Sequence, residues 1–116
     1  MAQLGFVVTS SPHGGTGARA FYLLAAAALR KGYGVKAFFC EEGVYHCLAS
    51  SVPSSGSEFS PADYLRSFQK EGAEIVVSSN CMRVRGVKPE QLCGVQYGTF
   101  DALRRIVGEV DRMVCL

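Results

Sequence analysis

Short apolar runs alternate with amphipathic segments along the whole chain. The apolar runs are rich in β-branched and aromatic residues and are typical of buried strands. They cover residues 4–9, 35–40, 74–77, 95–97 and 113–116. The segments between them predict helices over residues 18–31, 42–48, 61–71, 78–84 and 99–107. Because strands alternate with helices, the pattern predicts an α/β fold in three layers, a mostly parallel sheet of roughly five strands with helices on both faces.

Capping residues mark several of the predicted helix boundaries. Ser60 followed by Pro61 is a typical N-cap with proline at the first helical position. Thr99 is placed to cap the last helix, and Gly32 to end the first. Residues 51–60 hold five serines, a proline and a glycine, and therefore predict a surface loop.

Length and charge limit the classes of protein that this chain can be. It has 116 residues, 48% of them hydrophobic, which suits one compact domain over residues 1–116. The net charge of +2 comes from interspersed residues without a basic stripe, so we expect no direct binding of nucleic acid. No apolar run reaches the roughly 18 residues of a membrane span. The start of the chain lacks the plan of a signal peptide.

The cysteine pattern argues against disulfides and metal sites. There are five cysteines, with no CxxC pair and no zinc-type spacing. We therefore expect reduced thiols in the cytoplasm, with no metal and no cofactor.

The topology brings three candidate residues to one edge of the sheet. Ligands of parallel α/β sheets bind beyond the carboxyl ends of the strands. His13 follows the first predicted strand, Cys40 ends the second, and Cys81 follows the third. We therefore expect these three residues to converge on one site.

Cys81 has the most reactive setting of the five cysteines. It lies at a strand-to-helix junction, and Arg85, four residues later, shares its predicted helix face. A helix N-terminus and a nearby cation both favour a thiolate. The alternative is that Cys81 only packs in the core, as free cysteines often do. His13 is a supporting candidate, either for moving a proton or for a simple hydrogen bond.

The remaining cysteines are predicted to be inert. Glu41 and Glu42 follow Cys40 directly and disfavour its thiolate. Cys93 and Cys115 are expected to be packing residues, Cys115 especially, because it alternates with its neighbours in the last predicted strand. No chemistry is expected from these two or from Cys47, which lies on a short predicted helix beside His46.

Four stretches of the chain carry a family resemblance. They are residues 8–15 running into an alanine-rich helix, 38–45, 74–87 and 111–114. In their order and spacing the chain resembles the DsrE/TusD (DsrE/DsrF-like) family of small sulfur-relay proteins. The resemblance implies a DsrEFH-like fold and a sulfurtransferase-like carrier that passes persulfide sulfur between donor and acceptor proteins. It also implies a pathway of the sulfur-oxidation or tRNA-thiolation type and a homo- or hetero-oligomer with related subunits.

One departure from the family pattern affects the candidate site. Counted without gaps between Gly72 and Gly86, the relay cysteine of TusD-like members falls on Ser78, which cannot hold a persulfide. Cys81 lies about one helical turn further on. Two interpretations remain: a carrier that uses Cys81, or a catalytically silent assembly subunit of the same fold.

A nucleotide-binding module is a weaker alternative. Residues 15–20 match the G-x-G-x-x-A dinucleotide fingerprint, and Glu41 or Glu42 lies where a ribose ligand is expected. However, five residues separate Thr9 from Gly15, whereas the fingerprint requires the turn directly after the strand.

Overall fold

The computed structural model describes residues 2–53 and 57–116. Five β-strands alternate with helices along the chain. The strands are β1 (Gln3–Val8), β2 (Gly34–Phe39), β3 (Glu74–Ser78), β4 (Gln96–Gly98) and β5 (Arg112–Cys115). The α-helices are α1 (Gly17–Arg30), α2 (Pro61–Lys70), α3 (Ser79–Val84) and α4 (Phe100–Glu109). Two 3₁₀ helices, Glu41–Cys47 and Pro89–Gln91, complete the set.

The described strands form one parallel sheet in the order β4-β3-β2-β1-β5. Every connection between neighbouring parallel strands crosses over through helical segments, as parallel pairing requires. The carboxyl ends of β1, β2 and β3 are in register, with Val8 beside Phe39 and Phe39 beside Val77. The segments that leave these three strands therefore begin side by side.

Helices cover both faces of the sheet. Successive strand residues point to opposite faces. Phe39 packs edge-on against Phe21 of α1, whereas Phe38 contacts Phe100 of α4. Helix α2 packs with α1, since Phe68 also contacts the Phe21 ring. The predicted three-layer α/β fold is confirmed, and the described sheet is parallel throughout.

The capping predictions are also confirmed. The Ser60 hydroxyl accepts from the Asp63 N–H, and the Asp63 carboxylate accepts from the Ser60 N–H, which forms a capping box. The Thr99 hydroxyl accepts from the Asp101 N–H at the start of α4. Gly32, at φ 83, follows the end of α1. Of the predicted loop over residues 51–60, residues 54–56 lie outside the described part of the chain.

Candidate functional site

Helix α3 begins where β3 ends, and its first turn contains the candidate cysteine. Ser78 is fully buried, and its hydroxyl accepts a hydrogen bond of 3.2 Å from the Cys81 backbone N–H. This contact caps the N-terminus of α3. The serine that falls at the relay position of TusD-like proteins therefore has a structural role in this chain.

The Cys81 thiol lies against a carboxylate. Its residue is 4% exposed, and its Sγ donates to Glu41 Oε1 at 4.0 Å. The Glu41 side chain itself is 61% exposed. A group that can accept the thiol proton is thus in contact with the sulfur on one side and with solvent on the other.

Glu41 holds this position through an unusual backbone conformation. Its φ of 52° places it in the left-handed region, where it is the only non-glycine residue in the described ranges. Such a conformation costs about 1–2 kcal/mol and is often found at functional sites. Gly43, two residues later, lies so close to the Val8 carbonyl that a side chain would clash there. The 3₁₀ helix therefore sits directly on the end of β1.

Arg85 ties the two acidic side chains to α3. Its Nε and Nη2 donate to Glu42 Oε1 at 3.1 and 2.8 Å, and Nη2 also donates to Glu41 Oε2 at 3.3 Å. Its Nη1 donates to the Cys81 carbonyl oxygen at 3.3 Å. The structure thus brings Arg85 and Cys81 together. The arginine charge is shared with the two carboxylates, whose contact with Arg85 was not predicted from the sequence.

Cys40 is a buried neighbour of this cluster. Burial, and then the nearby Cys81 and Glu41, raise the pKa of its thiol to about 11. The prediction that carboxylates disfavour the Cys40 thiolate is confirmed in direction, although burial is the larger cause.

The packing prediction is confirmed for Cys93, one of the two cysteines that it named. Cys47 and Cys93 are buried, and burial raises the pKa of both. The packing prediction for Cys115 is wrong, because this residue is exposed. It ends β5, an edge strand, while α4 packs on β1 and β2.

His13 lies at a different place on the same edge. It lines a cavity of about 530 Å³ together with Arg19, Tyr22 and Tyr64. Neither Cys81 nor Arg85 lines that cavity. The structure therefore joins Cys40, Cys81 and Arg85 and places His13 beside an aromatic wall.

A second histidine, which was not predicted as a site residue, connects the segments that meet at this edge of the sheet. His46 is fully buried. Its Nε2 faces the Ser10 carbonyl oxygen at 2.9 Å and must donate to it, since a carbonyl only accepts. Its Nδ1 then accepts from the Tyr22 hydroxyl at 2.5 Å. His46 thereby links the 3₁₀ helix to the loop after β1 and to α1. Its position inside the short, mostly apolar run 44–48 was the feature of the sequence that could have predicted a buried histidine.

The second glycine of the dinucleotide-like motif has a structural role. A side chain at Gly17 would collide with the Ser10 hydroxyl and the Leu116 carbonyl, so the space beside this glycine is filled by the protein itself. Glu41 and Glu42, the ribose-ligand candidates, are bound to Arg85. These contacts account for Gly17, Glu41 and Glu42 without a nucleotide.

The described ranges contain neither a metal-type cluster nor a helix that could span a membrane. No cluster of three or more His, Cys, Asp or Glu side chains is placed to hold a metal ion there. No helix among those residues is long and apolar enough to cross a membrane.

Comparisons with known proteins agree with this architecture. The chain is similar to the crystal structure of the ychN protein from E. coli, with a TM-score of 0.89 at 19% identity over 100% of both chains. It is also similar to the structure of MTH1491, a protein of unknown function from Methanobacterium thermoautotrophicum, with a TM-score of 0.70 at 13% identity over 100% of both chains. At these identities the likeness concerns the fold.

Sequence comparison identifies the family. The uncharacterized protein MJ0989 of Methanocaldococcus jannaschii is 30% identical over 109 residues, which cover 93% of this chain and 94% of that protein. The sequence model of the DsrE/DsrF-like family matches residues 2–116. The chain belongs to the DsrE/DsrF-like family.

Proposed function

We propose that the protein is a sulfur carrier that holds sulfane sulfur as a persulfide on Cys81. The observation that carries the proposal is the contact between the Cys81 thiol and the Glu41 carboxylate at 4.0 Å. Glu41 makes it from a left-handed backbone conformation that is costly for glutamate. Membership of the DsrE/DsrF-like family supports a role of the sulfur-relay type.

The proposed loading step needs one thiolate and one proton acceptor. Glu41 accepts the proton of the Cys81 thiol, and the thiolate attacks the outer sulfur of a donor persulfide. A new S–S bond forms at Cys81 while the S–S bond of the donor breaks. The donor thiolate leaves and takes the proton from Glu41. The step exchanges one S–S bond for another, so no external oxidant or reductant is needed.

Arg85 has a positioning role in this proposal. It holds Glu41 by Oε2 and so leaves Oε1 directed at the sulfur. A persulfide anion formed at Cys81 also lies beside this cation, which stabilises negative charge. Delivery is the reverse exchange, in which a cysteine of an acceptor protein attacks the outer sulfur. Such chemistry requires reduced thiols, and we therefore place the protein in the cytoplasm.

Sulfur loading with a persulfide donor tests the proposal. Intact mass spectrometry is expected to show an adduct of about 32 Da, one sulfur atom, and peptide mapping to assign it to Cys81. The Cys81→Ser variant should lose the adduct. Cys40→Ser is the matched control, since it removes a neighbouring buried thiol and should retain loading. Full loading of Cys81→Ser would contradict the proposal.

The competing proposal is a catalytically silent assembly subunit. Ser78 at the relay position and the 4% exposure of Cys81 favour it. In that case the wild-type chain takes up no sulfur, or takes it up at the exposed Cys115 and not selectively at Cys81. The loading experiment therefore separates the two proposals.

Both proposals include an oligomer with copies of the chain or related subunits. The outer face of α1 supports this, because Leu23 and Leu24 are exposed there and the half-buried Ala20 and Ala27 lie on the same side of the helix. Exposed apolar helix faces commonly mark protein–protein contacts.

A further inference from the structure

A short antiparallel bridge joins two segments that are far apart in the chain. Leu48, after the 3₁₀ helix Glu41–Cys47, pairs with Leu92 in the segment that follows α3. Two backbone hydrogen bonds of 2.9 Å flank the pair. One runs from the Cys93 N–H to the Cys47 carbonyl, and the other from the Ala49 N–H to the Gln91 carbonyl.

This pattern places Cys47 and Cys93 opposite each other. In an antiparallel ladder, opposed residues that exchange two such hydrogen bonds have Cα atoms about 5.5 Å apart, and Cys47 and Cys93 share one bond of that kind. Disulfides span Cα separations of roughly 4.4–6.8 Å. Opposed Cβ atoms lie about 4.5–5.5 Å apart, so closing the bond draws them together by about 1 Å. The backbone geometry is therefore that of a disulfide site with a small adjustment.

The two thiols also share one buried environment. Cys47 is fully buried and Cys93 is 5% exposed, and both belong to the same hydrophobic core. Each is close enough to the Tyr22 hydroxyl to act on it electrostatically, and Cys93 acts in the same way on Cys47. Both thiols thus lie near the same buried hydroxyl.

We propose that Cys47 and Cys93 form an intramolecular disulfide when the protein meets a low-molecular-weight disulfide such as oxidised glutathione. The Cys93 thiolate attacks one glutathione sulfur, which forms a mixed disulfide and releases one glutathione. The Cys47 thiolate then attacks the Cys93 sulfur and releases the second glutathione. The two thiol protons end on the two glutathione molecules, so two electrons pass from the cysteines to the oxidant.

The same burial makes the reaction slow. Burial raises the pKa of both thiols, and the attacking species is the thiolate. Oxidation therefore accelerates as the pH rises and requires a transient opening of the segment that carries Cys93.

The disulfide would cross-link two segments that flank the candidate site. It would join the 3₁₀ helix that begins with Glu41 to the segment that follows Arg85, the C-cap residue of α3. The Cys81 thiol stays outside the cross-link. The inference is independent of the sulfur-carrier proposal, because it rests on the bridge alone.

The test is oxidation of the full wild-type chain with oxidised glutathione at about pH 8.5, near the ordinary pKa of a cysteine thiol. Digestion with trypsin and a glutamate-specific protease separates Cys40 from Cys47, since cleavage after Glu41 and Glu42 lies between them. The expected product is a peptide containing Cys47 linked to one containing Cys93. The linked protein should unfold at a temperature higher by roughly 10 °C, and dithiothreitol should reverse the rise.

Two variants complete the test. Cys47→Ala should lose the cross-link, whereas Cys40→Ala, which removes another buried thiol of the same 3₁₀ region, should keep it. If Cys47→Ala does not fold, the peptide map of the wild-type chain decides alone. A map that shows only glutathione on single cysteines, or a Cys40–Cys81 link in place of the expected one, would overturn the inference. Neither result would bear on sulfur loading at Cys81.

Discussion

Protonation of His46 is expected to control how the stability of this protein depends on pH. The buried imidazole donates to Ser10 and accepts from Tyr22, and only the neutral ring does both. Burial is the main reason that the pKa of His46 falls from 6.5 to about 4, and nearby His13 lowers it further. The hydrogen bond to Ser10 acts in the opposite direction without cancelling these effects.

The sign and size of the effect follow from the two pKa values. The unfolded chain takes up a proton at His46 below pH 6.5, whereas the folded protein does so only below about 4. The contribution of neutral His46 to the free energy of unfolding is therefore fully present above pH 6.5, and it is lost as the pH falls towards 4. The difference between 6.5 and about 4 corresponds to about 3 kcal/mol, at 1.36 kcal/mol for each pKa unit. That is a large share of the 5–15 kcal/mol that stabilises a typical domain.

Urea unfolding between pH 7.5 and 4 measures this contribution. His46→Gln keeps one donor and one acceptor but does not titrate, so the wild type should lose about 3 kcal/mol more than this variant over the range. Carboxylates such as Asp63 and Glu109 titrate in both proteins and cancel in the comparison.

Tyr22→Phe is the control for the hydrogen bond between Tyr22 and His46. Because burial is the main cause of the lowered pKa of His46, the stability of Tyr22→Phe should depend on pH much as that of the wild type does. Parallel curves for the wild type and His46→Gln would refute the reasoning.

Six further variants test the site and the surface. Glu41→Gln should slow sulfur loading by roughly 100-fold or more, because it removes the proposed proton acceptor. In urea unfolding, Glu41→Gly should be more stable than Glu41→Ala by about 1 kcal/mol, because only glycine tolerates the left-handed backbone freely. Ser78→Ala should cost about 1 kcal/mol of unfolding free energy through the lost helix cap. Leu23→Glu should reduce the oligomer mass in light scattering, whereas Val107→Glu on α4 should not.

The sequence predicted the parts of the fold that depend on local pattern. Apolar runs, caps and glycines each act over a few residues, which is why the strands and the Ser60 and Thr99 caps were found with small errors at the ends. The neighbourhood of Cys81 and Arg85 followed from helical spacing and from the rule for carboxyl ends of parallel strands.

The missing parts of the site depend on contacts between distant segments. Glu41 reaches Cys81 only because its backbone turns into the left-handed region, and no periodic pattern signals that turn. The rule that ligands bind beyond the carboxyl ends of parallel strands also could not show that His13 and Cys81 lie apart. It identifies an edge of the sheet but not the distance between two residues along that edge. Cys115 was misjudged because alternation in a strand does not reveal which strand lies at the sheet edge.

The 3₁₀ helix Glu41–Cys47 connects the observations made along this edge. It presents Glu41 to Cys81 at its start, rests on Val8 through Gly43, and holds the loop after β1 through His46. These contacts belong to one short element, so they should loosen together. We therefore expect protonation of His46 to weaken the support of Glu41 as well. Hydrogen exchange of the amides in residues 41–47 should accelerate between pH 6.5 and 4, after correction for intrinsic exchange rates, more in the wild type than in His46→Gln. Equal acceleration in both proteins would show that Glu41 is held independently of the buried histidine.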